Sequence, residues 1–151
     1  MIMTNENNVI AEVRNEVRTG NTDIIADVLT RIRNGLQVQK GCIYLPKTTV
    51  TVRICEILVE EKLIDEVVIF EDLPYEFFIH LKYFDTSKSE PAITDLKRIS
   101  KPGCHIYVKA KNMPRVLNGM GLAIISTPEG IMTGHEATKK NLGGEYLCSI
   151  Y

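Results

Sequence analysis

Between residues 126 and 145 the chain reads STPEGIMTGHEATKKNLGGE. One chemistry these residue types could perform is nucleophilic catalysis, with Ser126 activated by His135. A serine nucleophile wants a sharp G-x-S-x-G elbow, whereas Ser126 stands between AII and TPEG, and no acidic group is placed to orient His135. His80 and His105 fall in strand patterns, and neither a G-x-x-x-x-G-K-[ST] loop nor a G-x-G-x-x-G turn is present. The chain is therefore read as a non-enzyme with no catalytic residues. The second chemistry is binding. Free N–H groups at a helix start attract anions, Gly130 and Gly144 admit a close approach to backbone, and Ser126 and Thr127 can donate and accept hydrogen bonds. On pattern alone, an inert hairpin fits this stretch as well as a binding surface.

The elements around it set its geometry. LAIIS reads as a buried strand running into Ser126, Thr133-Gly134-His135-Glu136 matches a capping box, and Gly143-Gly144 turns the chain into a last strand, EYLCSIY. Upstream, AITDLKRIS and HIYVKA read as strands joined by KPG, and NMPRVLNGMG as a short helix begun near Pro114. In the first half, Asn21 or Thr22 caps a helix carrying Ile24, Ile25, Val28, Leu29, Ile32 and Leu36. A strand at CIYLP follows, then a helix capped by Thr48 or Thr49, then strands at LIDEVVIFE and EFFIHLKYF. The expected fold class is α+β: an N-terminal α-β-α-β-β domain over 22–85, a linker at 86–91, and a mostly β C-terminal domain with short helices over 92–151. Residues 1–21 form an N-terminal extension, with one amphipathic pattern at Val9, Ile10, Val13 and Val17.

Composition narrows the class. The chain has 151 residues, 44% hydrophobic and 25% charged, as soluble globular proteins do. No apolar stretch approaches the ~20 residues of a membrane helix. Cys42, Cys55, Cys104 and Cys148 are spaced 13, 49 and 44 apart, too widely for a close-paired zinc site, so no metal is expected and the four read as buried, reduced thiols. The net charge of −1 is uneven: residues 1–91 carry 10 Lys+Arg against 15 Asp+Glu, and residues 92–151 carry 8 against 4. That excess of positive charge hints at an anionic partner for the C-terminal half.

Four segments together carry a resemblance. DIIADVLTRIRNG, LKRISKPGCHIY, MPRVLNGMGLAIISTPEGIMT and GGEYLCSIY resemble, in order and spacing, the bacterial and organellar family of small-ribosomal-subunit protein eight. The resemblance spans about residues 22 to 151. It implies a two-domain α+β protein without catalytic activity or cofactor, bound to the central domain of small-subunit ribosomal RNA and to neighbouring ribosomal proteins. No membrane or small-molecule substrate is implied. On matching positions it implies RNA contacts at Ser126, Thr127, Gly130, Gly144, Glu145, Lys101 and Tyr107. Thr30, Arg31, Arg33 and Asn34 of the first helix are implied as a second contact region.

Several positions depart from the family pattern. Glu129 stands where an uncharged or basic residue is usual, Gly134 where Asp is typical, Thr138 where Arg or Lys is, and His105 in place of a basic residue. Lys47-Thr48-Thr49 replaces a pattern whose lysine comes later. Fewer cations imply weaker binding to isolated RNA and a flatter salt dependence. TDLKRIS and GGEYLC lean toward plastid members, so a plastid ribosome is the expected location, with a bacterial cytoplasm the alternative.

Overall fold

Asp23 opens the first helix, α1 (Ile24–Gln37), by accepting a hydrogen bond from the Ala26 amide at 3.2 Å. The computed structural model describes residues 23–151; the N-terminal extension, its apolar pattern and the proposed caps Asn21 and Thr22 lie outside them. The buried stripe of α1 is Val28, Leu29 and Ile32, at the three-to-four spacing that faces one side. The chain leaves α1 through Gln39 at φ 58 and enters β1 (Cys42–Pro46).

Helix α2 (Thr49–Glu60) begins at a reciprocal cap. The Thr48 hydroxyl accepts from the Thr51 amide and the Thr51 hydroxyl accepts from the Thr48 amide. The same Thr51 hydroxyl donates to Pro46 O at 2.7 Å, tying the helix start to the end of β1. Strands β2 (Ile64–Val68) and β3 (Glu76–Leu81) complete an antiparallel sheet in the order β1-β3-β2.

The second sheet contains β4 (Leu96–Arg98), β5 (Tyr107–Val108), β6 (Leu122–Thr127), β7 (Gly130–Thr133) and β8 (Gly144–Ile150). Its order is β4-β8-β6-β7, with β5 also on β8, and α3 (Gly134–Lys139) follows β7. Three expectations shrink here, the first being AITDLKRIS, which supplies only the three residues of β4. HIYVKA supplies only the two-residue β5, because Glu145 and Gly144 are its only ladder partners. The short helix near Pro114 is instead a pair of 3-10 turns, Ala110–Asn112 and Val116–Gly119, with Leu117 and Asn118 in the left-handed region inside the second.

One hydrophobic cluster runs through both halves. Val28, Leu29 and Ile32 of α1, Ile54, Ile57 and Leu58 of α2, and Phe77 and Ile79 of β3 share it with Leu96, Ile124, Leu147 and Ile150 of the second sheet. A smaller cluster, Ala123, Ile125 and Tyr146, lies on the opposite face of that sheet. Polar groups reinforce the junction. Arg98 reaches Asp23 at 3.2 Å and donates to Leu147 O at 2.7 Å, and Arg53 of α2 donates to Ile131 O of β7 at 3.2 Å.

Residues 85–91 do not run as an open tether. Phe84 N donates to Glu90 O at 2.8 Å, Tyr83 bridges to Pro91, and the Asp85 carboxylate accepts from Ser87, Ser89 and the Glu90 amide. Those hydrogen bonds hold Asp85 well below the usual carboxylate range. The thiols also differ from expectation. Cys55 and Cys148 are buried, and burial pushes both up to about 12, but Cys42 is half-buried and Cys104 is exposed at the end of a tight turn.

Candidate nucleic-acid interface

Cross-strand register brings most of the expected C-terminal residues to one end of the second sheet. Tyr107 pairs with Glu145, Glu145 with Ser126, and Ser126 with Ile131. Directly opposed residues of an antiparallel pair point to the same face, so this is a row of side chains across four strands. Lys101 sits beside the row, exposed on the turn where its amide and Cys104 O, and the Cys104 amide and Lys101 O, are paired.

Each member has a distinct task. The Ser126 side chain makes no hydrogen bond among the described residues, so its hydroxyl is available to a partner. Thr127 is buried; its hydroxyl donates to Gly130 O at 2.8 Å and accepts from the Glu129 amide at 3.2 Å, bracing the hairpin. Gly130 holds φ 113 at the end of that turn, and a side chain there would meet nothing within 4 Å, so the turn needs glycine and its surface is open. Gly144 differs from its expected use. A Cβ on it would collide with the Ser126 carbonyl and lie 3.1 Å from Thr127 Cα, so its bareness serves contact within the sheet.

Glu145 is a clamp. Its Oε1 accepts from the Ser100 hydroxyl and lies 2.8 Å from His105 Nδ1, while the Ser100 hydroxyl also accepts from the Ile106 amide at 3.2 Å. Ser100 is fully buried, so this small network fixes the 100–107 segment on the start of β8. The result is a projecting Tyr107, 71% exposed, with the His105 ring centroid 6.3 Å away. His105 and Ser100 hold the Glu145 carboxyl below its ordinary value of 4.5, the His105 hydrogen bond contributing most and burial opposing it.

A group lowered in this way stabilises the fold fully above its ordinary value, and that contribution disappears as pH falls through the lowered one. We therefore expect Glu145→Gln to lose less stability than the unaltered chain as pH falls from the ordinary carboxylate range through the lowered value. Urea midpoints measured across that window check this, and parallel curves would assign the carboxylate no linkage.

The α1 residues form a separate group. Thr30 and Asn34 are exposed, and with Arg31 they border a cavity of about 470 Å³. Arg31 pairs with Asp27 at 3.0 Å, and Arg33 donates to Leu96 O, so neither guanidinium is an unengaged solvated charge. Leu96 pairs with Ile150, five residues along β8 from Glu145, roughly 17 Å away at strand spacing. The fold thus places the two groups apart. Arg98, a basic residue near the row in sequence, is taken up by Asp23 and Leu147. Thr133 caps α3 through the Glu136 amide at 3.1 Å. Among the described residues no group of side chains is arranged to hold a metal ion, and no helix is long and apolar enough to cross a membrane.

The model of the family described as Ribosomal protein S8 matches residues 23–151. The chain belongs to the ribosomal protein S8 family. A small ribosomal subunit protein uS8 from Anaeromyxobacter sp. (strain K) is 46% identical over 131 residues, covering 86% of this chain and 98% of that protein. The uS8c protein of Chlorella vulgaris is 44% identical over 135 residues, covering 85% and 98%. The uS8 of Agrobacterium fabrum is 41% identical over 132 residues, covering 86% and 98%. An S8-family chain is a structural, non-enzymatic constituent of the small ribosomal subunit, and relatives from bacteria and chloroplasts match it about equally. Its place is the ribosome, in a plastid or a bacterial cytoplasm.

Sequence reasoning missed Ser100 and the clamping role of His105. Both lie inside the K-P-G stretch, but only the β5–β8 register reveals that they converge on Glu145.

Proposed function

We propose that this S8-family chain binds small-subunit ribosomal RNA directly and supports subunit assembly. The row Tyr107–Glu145–Ser126 forms the principal contact, with Lys101 and Gly130 at its margins. The observation that carries this is the projecting Tyr107, held by the Glu145–Ser100–His105 clamp, beside a serine hydroxyl with no partner among the described residues. RNA duplexes conceal base edges in a deep groove, so a protein reads shape, 2′-hydroxyls and irregular bases with short polar groups and stacking rings. Lys101 supplies a phosphate contact that positions without reading sequence. Thr30, Arg31 and Asn34 form a second contact of the 22–85 half, with Arg33 holding α1 in place, while 92–151 carries the main site. Neighbouring small-subunit proteins complete the surroundings. A plastid ribosome is the preferred location.

Two single substitutions separate reading from scaffolding. Ser126→Ala should cost about 0.5–1.5 kcal/mol of RNA affinity without changing the melting temperature. Thr127→Ala should lower stability, by about 1 kcal/mol, before it lowers affinity. Filter binding and thermal melts check both. Footprinting of small-subunit RNA should show central-domain protection that weakens with Ser126→Ala; full protection without Ser126 removes it from the site.

A further inference from the structure

We propose that the cavity under residues 110–121 binds one unpaired ribonucleotide, with its phosphate against Lys111, Arg115 and His135 and its base on an apolar floor. This rests on the RNA-binding reading above but names a different site. The cavity, of about 540 Å³, lies between the two 3-10 turns, the start of β6 and the Thr133–His135 corner. That volume falls within the range of pockets that hold small organic ligands, roughly 300–1,000 Å³.

Its charge is one-sided. Lys111, Arg115 and His135 are exposed and make no ion pair or hydrogen bond among the described residues, and Glu61 is the one carboxylate on the lining. Two permanent cations against one carboxylate favour an anion. The floor is apolar and packed. Met113 and Val116 rest on the cluster of Ala123, Ile125 and Tyr146, and a Cβ on Gly134 would already touch Met113 at 3.1 Å. The rim is held in shape: Leu117 and Asn118 sit at φ 47 and 55, and the Gly121 amide closes the turn on Val116 O at 2.9 Å. A packed apolar floor with a cationic edge suits a base and its phosphate, the pairing of stacking surface and positive groove that single-stranded nucleic acid needs. Ala123 and Ser126 point to opposite faces of the sheet, so a nucleotide held here is not the one at Ser126.

The test is an NMR titration of the ¹⁵N-labelled full chain with uridine 5′-monophosphate, and separately with inorganic phosphate. The nucleotide should shift the amides of Met113, Val116, Ala123 and Gly134 saturably, whereas phosphate alone should move those near Lys111 and Arg115 and leave Ala123 still. Lys111→Glu with Arg115→Glu should weaken nucleotide binding about tenfold or more. The milder Lys111→Gln with Arg115→Gln should weaken it in the same direction should charge reversal impair folding, and Gly103→Ala should leave it unchanged. Absence of saturable shifts at these amides, or an affinity indifferent to both charge variants, overturns the proposal even where RNA protection persists. Loss of central-domain protection with the titration intact overturns the RNA reading instead.

Discussion

Gly144→Ala should both destabilise the protein and abolish its protection of small-subunit RNA. The added methyl group would run into the Ser126 carbonyl and approach Thr127 Cα at 3.1 Å. These are backbone atoms within a paired ladder, so no side-chain rotation relieves the clash, and β6 and β8 must separate where Ser126 meets Glu145. Overpacking of this kind costs about 1–3 kcal/mol, and the figure should fall at the upper end here because neither partner is flexible. The functional loss should exceed the stability loss, since the displaced strands carry the free hydroxyl and the Tyr107 clamp. Gly103→Ala is the control: its methyl group would meet nothing within 4 Å, and stability should stay within about 0.5 kcal/mol of the parent. Urea unfolding with RNA footprinting measures both effects. A Gly144→Ala chain as stable as the Gly103→Ala control would mean that the two strands are not in this contact.

Ile124→Ala should remove about 2–5 kcal/mol and should unfold both halves together. Ile124 is fully buried in the second sheet, yet its cluster includes Val28 and Leu29 of α1 and Phe77 of β3. A cavity at that position loosens the cluster through which the second sheet packs with α1, α2 and β3. The expected outcome is one cooperative transition in which amide protection of β3 and β8 falls in parallel, read by hydrogen exchange at increasing urea. Two separated transitions, with β3 protected after β8 has opened, would show that the halves hold their own cores.

How far the sequence revealed this arrangement depended on whether a feature is local. The α1 stripe, the Thr48 cap and the Thr133 cap were legible because capping and helical periodicity depend on residues within a turn of one another. Strand β7 was not legible: the residues between Ser126 and the Thr133 cap read as a loop, and their pairing with β6 shows only in the register. The length of β5 was not, because it depends on where distant β8 offers partners. Nor was the fate of the arginines. Arg33 and Arg98 look like surface charges in a helix and a strand, and only tertiary packing brings them to Leu96 O and Asp23. Gly144 reads in the sequence as a place where another molecule could approach, whereas the backbone that crowds it belongs to its own sheet. The resemblance identified the family from segments that local chemistry could describe without explaining.

The closed loop at 85–90 has a corollary for chain length. The chain enters and leaves it at one point, secured by the Phe84–Glu90 hydrogen bond and the Tyr83–Pro91 bridge. Residues added to or deleted from its tip leave the positions of both sheets unchanged, and the entropy of closing a loop grows only slowly with its length. Chains altered in length at this segment should therefore keep both sheets in place.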